Sequence, residues 1–311
     1  MKPPPLPPKV VSLLPSNTEI VCALGMRSRL IGRSHECDYP PEVRSLPVCT
    51  RSRVDPAAPG KEIDRQVKAE TAKGVSLYEF DVPLLRRLQP DVILTQGQCE
   101  VCAVSEDDLR RALAREIGWQ PSIVALSPKR FTDLWSDMGT VARALQLPDE
   151  GRGTIRKLKE RVAELLLRVC QQQHRPSVAC VEWMDPLMAA GNWVPEMVEL
   201  AGGQNLFGQP GEHSPWLDWQ PLRQANPDIL LLMPCGYDRA RTRKELAAMT
   251  TRPGWSDLTA VKSRQVFLLD GNAYFNRPGP RLVDSVEMLA EIFFPMAFPK
   301  ARYEGKGWER L

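Results

Sequence analysis

Two stretches of the chain repeat one pattern, and that repeat limits the fold more than any other feature. Leu85-Arg86-Arg87-Leu88-Gln89-Pro90-Asp91-Val92-Ile93-Leu94 matches Leu222-Arg223-Gln224-Ala225-Asn226-Pro227-Asp228-Ile229-Leu230-Leu231. Each reads as a helix stopped at Pro-Asp, followed by an apolar strand. A second pair stands in the same order, Thr18 to Gly25 and Pro195 to Gly202. Between the copies lies the longest helical pattern, with Ile155, Leu158, Val162, Leu165, Leu166 and Val169 at helical spacing and charged residues between them. From Gly153 to about Gln172 it would span about 30 Å. The reading is two similar α/β lobes with mainly parallel sheets, joined by one long helix, with a cleft between them. The expected boundaries are 1–150, 151–173 for the helix, 174–299, and a tail at 300–311.

Other elements fit this scheme. Val10 to Leu14 reads as a strand, and Ser16 with Glu19 three residues on reads as a capping box. Gly25 then ends that helix. Leu30 to Arg33 and Asp91 to Thr95 are further strands, ending at Ser34 to Pro41 and at Gln96 to Cys102. Near the C-terminus, the strand Gln265 to Leu269 runs into Asp270-Gly271-Asn272-Ala273-Tyr274-Phe275-Asn276-Arg277-Pro278-Gly279-Pro280-Arg281, and a helix follows from Leu282 to Phe294. Loops at the C-terminal ends of strands are where open α/β sheets bind ligands. Packing against the core is the ordinary alternative for the rings there.

Composition excludes several classes. A net charge of +3 with no basic run interleaved with aromatics gives no nucleic-acid signature. No apolar stretch approaches the ~20 residues of a membrane helix. The first residues, Met1-Lys2-Pro3-Pro4-Pro5-Leu6-Pro7-Pro8, lack the apolar core of a signal peptide, so a cytoplasmic location is expected. The eight cysteines are then expected as thiols. Enzyme motifs are missing too: there is no Gly-x-Gly-x-x-Gly opening a βα unit, no phosphate-binding loop and no Gly-x-Ser-x-Gly.

The repeat, the opening Val10 to Glu19, Gly191-Asn192-Trp193, Ala201 to Phe207 and Asp270 to Arg281 together resemble the helix-linked (class III) substrate-binding proteins. Within that family the likeness is to the cobalamin-binding component of vitamin B12 importers and its iron-chelate relatives. It covers nearly the whole chain and implies a non-enzymatic clamp that holds a large metal chelate. Exported members of the family dock on a permease through one glutamate on each lobe, seven residues before the Pro of the Pro-Asp strand. Pro83 and Gln220 stand at those positions here, which puts docking to an importer permease in doubt, with neighbouring Glu79, Asp81 or Asp218 as the alternative docking charges.

Two residue types are concentrated in the loops of the expected cleft. Tyr39, Trp183, Trp193, Trp216, Trp219, Tyr274 and Phe275 offer flat apolar surface for a corrin-like macrocycle, and about half of the four tryptophans are expected to reach ligand, the others packing in the core. Arg277 or Arg281 can pair with a ligand carboxylate or phosphate, or simply with a helix surface. His35, Cys37, Cys99 and Cys102 make up a set of four soft ligands of the kind that binds zinc or iron, which supports an alternative reading as a metal-ion sensor or chaperone. Glu182 and His213 stand opposite on the second lobe, and either His35 or His213 can also reach the metal of a bound chelate. A third reading is a thiol oxidoreductase using Cys99 and Cys102, although the next helix begins too late, near Ser105, to activate the first thiol.

Overall fold

The computed structural model describes residues 7–73, 76–97, 109–110, 113 and 119–311. They form two compact units. The first contains β1 (Val10–Ser12), α1 (Pro15–Ala23), β2 (Leu30–Arg33), β3 (Thr50–Ser52), most of α2 (Gly60–Ala72), β4 (Tyr78–Phe80), α3 (Val82–Leu88), β5 (Val92–Gln96), β6 (Ser122–Leu126) and α4 (Asp133–Ala144). Its sheet runs β2-β1-β5-β6 with every pair parallel, and β3 pairs with β4 antiparallel. Val11, Leu13, Leu85 and Ile93 lie at its core.

The second unit contains β7 (Ser177–Met184), β8 (Leu187–Ala189), α6 (Val194–Leu200), β9 (Gln204–Asn205), α7 (Trp219–Ala225), β10 (Ile229–Leu232), α8 (Arg239–Lys244), β11 (Val266–Leu269), α9 (Leu282–Phe293) and β12 (Trp308–Arg310), α5 being the linking helix below. Here β9, β7, β10 and β11 pair parallel in that order, repeating the first unit's sheet. β8 and β12 add antiparallel edges. Val181, Leu222, Leu230 and Leu268 centre this core.

The sequence repeat is repeated geometry. α3 and α7 both end on a left-handed residue, Gln89 (φ 46°) and Asn226 (φ 45°), whose N–H returns to Leu85 and Leu222. The Pro-Asp carboxylates then hold the start of each unit's first strand. Asp91 Oδ2 accepts from the Lys9 N–H at 2.7 Å, and Asp228 Oδ2 accepts from the Ser177 N–H at 2.8 Å. A short acidic side chain after Pro serves because it reaches an edge N–H that the ladder leaves over.

The linking helix α5 (Pro148–Val169) has 22 residues and starts five residues before the expected Gly153. Pro148 suits a first helical position, and Asp149 and Glu150 favour the first turn. Gly151 and Gly153 both lie inside the helix. Gly151 is there because α4 comes close: a Cβ on it would lie 2.4 Å from that of Ala142. Residues up to Lys157 belong to the first unit, and Leu158 onward to the second.

Three further expectations are corrected. The capping box does not form, since α1 begins at Pro15 with Leu14 as its N-cap and no side-chain cap. The lobe boundary is not a single point, because Ala58–Asp64 and Lys129–Thr132 belong to the second unit. They are held there by Glu245 Oε2 on the Gly60 N–H (3.0 Å) and Glu196 Oε2 on the Phe131 N–H (2.9 Å). The segment 300–311 is not a loose tail, since β12 pairs antiparallel with β11. Among the described residues no helix is long and apolar enough to cross a membrane.

Candidate functional site

In each unit the inner strands β1 and β7 have neighbours on both sides reached by oppositely directed crossovers. Such a switch point opens a crevice at the C-terminal strand ends. The loops following β1, β2 and β5, and those following β7, β10 and β11, are therefore the candidate site.

In the first unit the β2 loop carries His35, Cys37 and Tyr39. The His35 ring is set by three neighbours. Its Nδ1 is 2.8 Å from Thr50 Oγ1, its face tilts on Tyr78 at 5.5 Å, and its Nε2 is 3.9 Å from Glu36 Oε1. Burial holds it below the usual histidine range despite Glu36. Cys37 is fully buried among hydroxyls: Thr18 donates to its Sγ at 3.0 Å, and Ser34 Oγ lies 3.3 Å away. The fold thus gives the two side chains different partners. Tyr39 is exposed. Cys99 and Cys102 lie outside the described residues, and among those described no three His, Cys, Asp or Glu are grouped to hold a metal ion.

In the second unit Glu182 lies near the end of β7. Its Oε2 accepts from the Ser214 hydroxyl at 2.9 Å, and Ser214 Oγ accepts from the Gly191 N–H at 3.1 Å. Burial pushes the Glu182 carboxyl up to about 7, against the smaller lowering effects of Ser214, Gly191 and His213. His213 is exposed, with Nδ1 3.0 Å from Ser214 O. Gly191 has backbone against it, since a Cβ there would meet Ser214 N at 2.6 Å and Glu212 O at 2.7 Å. Gly191→Ala is accordingly expected to lower the urea midpoint by an amount equal to about 2–3 kcal/mol, the usual cost of overpacking. An unchanged midpoint would show that this loop yields freely.

The aromatic candidates divide. Trp216 is 59% exposed, and Trp183 is partly exposed while packing on Tyr237 at 5.2 Å. Tyr274 is partly exposed and lies under the Arg281 guanidinium at 5.1 Å. Trp193 and Phe275 depart from the ligand-facing expectation. Both are buried, and the Trp193 indole N–H donates to Phe275 O at 2.7 Å, tying the start of α6 to the β11 loop. Trp219 packs on Trp255 at 6.4 Å. Arg277 is only 6% exposed and donates to Asn272 Oδ1 of its own loop at 3.0 Å.

Sequence reasoning missed a cluster after β10. Tyr237 donates to Glu245 Oε1 at 3.0 Å, and its ring lies 4.0 Å under the Arg241 guanidinium. Arg241 Nη2 in turn donates to Ala58 O at 2.5 Å. Burial pushes the Tyr237 hydroxyl up to about 12. The signal was present in Pro234-Cys235-Gly236-Tyr237-Asp238, a Gly turn and an aromatic past an apolar strand, with Gly236 at φ +74°. Its partners were not legible, because Gly60 and Ala58 are remote in sequence.

Comparison with known proteins places this geometry. The family model described as "Periplasmic binding protein" matches residues 10–273. An uncharacterized ABC transporter substrate-binding lipoprotein of Bacillus subtilis, YvrC, is 23% identical over 299 residues, which is 94% of this chain and 82% of that protein. The vitamin B12-binding protein of Vibrio cholerae is 22% identical over 283 residues, 90% of this chain and 87% of that one. Among solved structures, the periplasmic heme-binding protein RhuT from Roseiflexus superposes with a TM-score of 0.69 at 21% identity, covering 93% of this chain and 98% of its own. The Vibrio cholerae vitamin B12-binding protein BtuF superposes at 0.65 and 20% identity, covering 95% and 100%. The two sheets of like order, the linking helix and the match over most of the length agree: the chain belongs to the periplasmic binding protein family.

Proposed function

We propose that this protein is a non-enzymatic binding protein for a corrinoid or a related tetrapyrrole metal chelate. The observation that carries the reading is the match over nine-tenths of the chain to vitamin B12-binding proteins. The second unit supports it, because Trp183, Trp216 and Tyr274 stand with exposed ring surface in or beside the loops at the strand ends. Flat rings suit a flat, partly apolar ligand, since they stack offset and bury large areas. Within the second unit, Glu182 and His213 are the polar groups this reading offers such a ligand.

The proposal includes the cytosol as its place of work. Cys22, Cys37, Cys49, Cys170, Cys180 and Cys235 are all free thiols, and two of them are exposed, which suits a reducing compartment. Pro83 and Gln220 lie exposed in the first turns of α3 and α7 and bring no charge for a permease arginine. An acceptor other than an importer is the partner this favours. Fractionation of the source cells, with the protein found outside the cytosol, would overturn that part alone.

The ligand is tested by titrating purified, reduced protein with aquocobalamin and, separately, hemin, following tryptophan fluorescence and the visible bands together. Saturation near one equivalent in both signals is the expected result for one of them. No response in either signal to either chelate would remove the proposal.

A further inference from the structure

We propose that the strap Ala58–Asp64 is an autoinhibitory cover over Trp183, latched by Glu245, which a chelate has to displace in order to bind. This rests on the chelate reading above. The strap belongs to the second unit. It follows the exposed residues Asp55-Pro56-Ala57, and its Gly60 opens α2. Glu245, Tyr237 and Trp183 all meet at Gly60. A Cβ placed there would lie 2.9 Å from Glu245 Oε2, 3.1 Å from Tyr237 Oη and 3.5 Å from Trp183 Cζ2. Glycine therefore lets the backbone of the strap come down on the edge of the Trp183 ring, which the tilted Tyr237 ring borders at 5.2 Å. A ring edge under the strap is closed to a macrocycle, so strap and chelate compete for Trp183.

The latch is polar. Glu245 Oε2 accepts from the Gly60 N–H at 3.0 Å, and Arg241 Nη2 donates to Ala58 O at 2.5 Å. Glu245 is itself held in position: Tyr237 donates to its Oε1 at 3.0 Å, and Arg241 Nε lies 3.6 Å from the same oxygen. Tyr237 is only 2% exposed, so the latch stands on a fixed base. The strap brings little apolar area to the contact. Its buried residues are Ala58 and Gly60, Ile63 is half-buried, and Pro59 and Lys61 are exposed. Hydrogen bonds rather than burial therefore decide whether the strap is down. Segments with few buried apolar contacts open without global unfolding. A cover of this kind lowers the apparent affinity according to the fraction of molecules in which it is raised.

Glu245→Ala removes the latch from its base, and Gly60→Ala disturbs it from the strap. Gly60 does not have a positive φ and alanine is the better helix former, so the second change brings neither strain nor a weaker α2. Acrylamide quenching of the Trp183 emission, taken in each background as the difference from its Trp183→Phe counterpart, reads the cover without a ligand. It should rise in both variants. Aquocobalamin and hemin are then titrated into wild type and both variants. The chelate that binds wild type should bind Glu245→Ala about tenfold more tightly, the worth of one hydrogen bond to a charged group, and Gly60→Ala more tightly by a smaller factor. Trp183 quenching unchanged in Glu245→Ala would overturn the latch. A chelate that binds Glu245→Ala no more tightly than wild type would overturn the inhibition and leave the chelate reading standing. Quenching that rises while neither chelate binds any of the three proteins would remove the chelate reading, and the inhibition with it.

Discussion

Glu291→Ala is expected to detach the last dozen residues and to lower the stability of the second unit by about 3 kcal/mol. Glu291, on α9, is only 6% exposed, and its carboxylate accepts three N–H donors from the C-terminal segment. They are the Arg302 N–H at 2.8 Å, the Tyr303 N–H at 3.3 Å and the Trp308 indole N–H at 3.1 Å. Alanine leaves all three without that acceptor, two of them on the buried residues Tyr303 and Trp308, and each buried orphan costs about 1–3 kcal/mol unless the segment lets go. Release caps the penalty, but it also uncovers the β11 edge that β12 pairs with. Tyr303 is held a second time, donating to Glu287 Oε2 at 2.6 Å beside Arg161 of α5, so detachment should reach the linking helix. Hydrogen exchange at residues 303–310 and a urea melt measure both effects. Protected amides with an unchanged midpoint would show that the strand pairing alone holds the segment.

Glu182→Gln is the second large expectation, and its effect depends on pH. Folding raises the Glu182 carboxyl from 4.5 to about 7, so the folded chain holds this proton more tightly than the unfolded chain. Wild type therefore loses stability as pH rises from about 4.5 to about 7, by roughly 3 kcal/mol in all, and then levels off. Glutamine keeps an oxygen for the Ser214 hydroxyl and carries no charge to desolvate. The variant should match wild type near pH 4.5 and exceed it above pH 7. Asp137 is also raised, to about 6, and titrates in the same range. It is unchanged in the variant, so the difference between the two melting profiles isolates Glu182. A constant difference from pH 5 to pH 8 would mean that Glu182 ionises in the folded protein much as it does in water.

The candidate site was legible in part. The loops were identified from strand ends, and Glu182, Trp183, His213, Trp216 and Tyr274 lie in or beside them. Trp193 and Phe275 were misjudged because a loop position says nothing of depth. The turn that carries Phe275 folds back, and its carbonyl meets the Trp193 indole across 82 positions of sequence. Ser16 was read as a cap because Ser followed by Glu three residues later has that pattern. The helix instead starts two residues sooner, at Pro15 with Leu14 as its N-cap, since proline is pre-set for a first turn.

What the sequence by itself determined is local and periodic. Apolar runs stopped by Pro-Asp, helical spacing from Ile155 to Val169, and glycine at the ends of α1 and α6 each encode an element through short-range sterics and burial. Their duplication implies two like sheets. The tertiary structure alone decided which side chains share a neighbourhood. Ala58–Asp64 joins the second unit through Glu245 and Arg241, and Glu291 gathers three donors from the C-terminal segment. Such contacts join residues far apart along the chain, and a polar group's partner is fixed by desolvation in three dimensions, which no periodicity records.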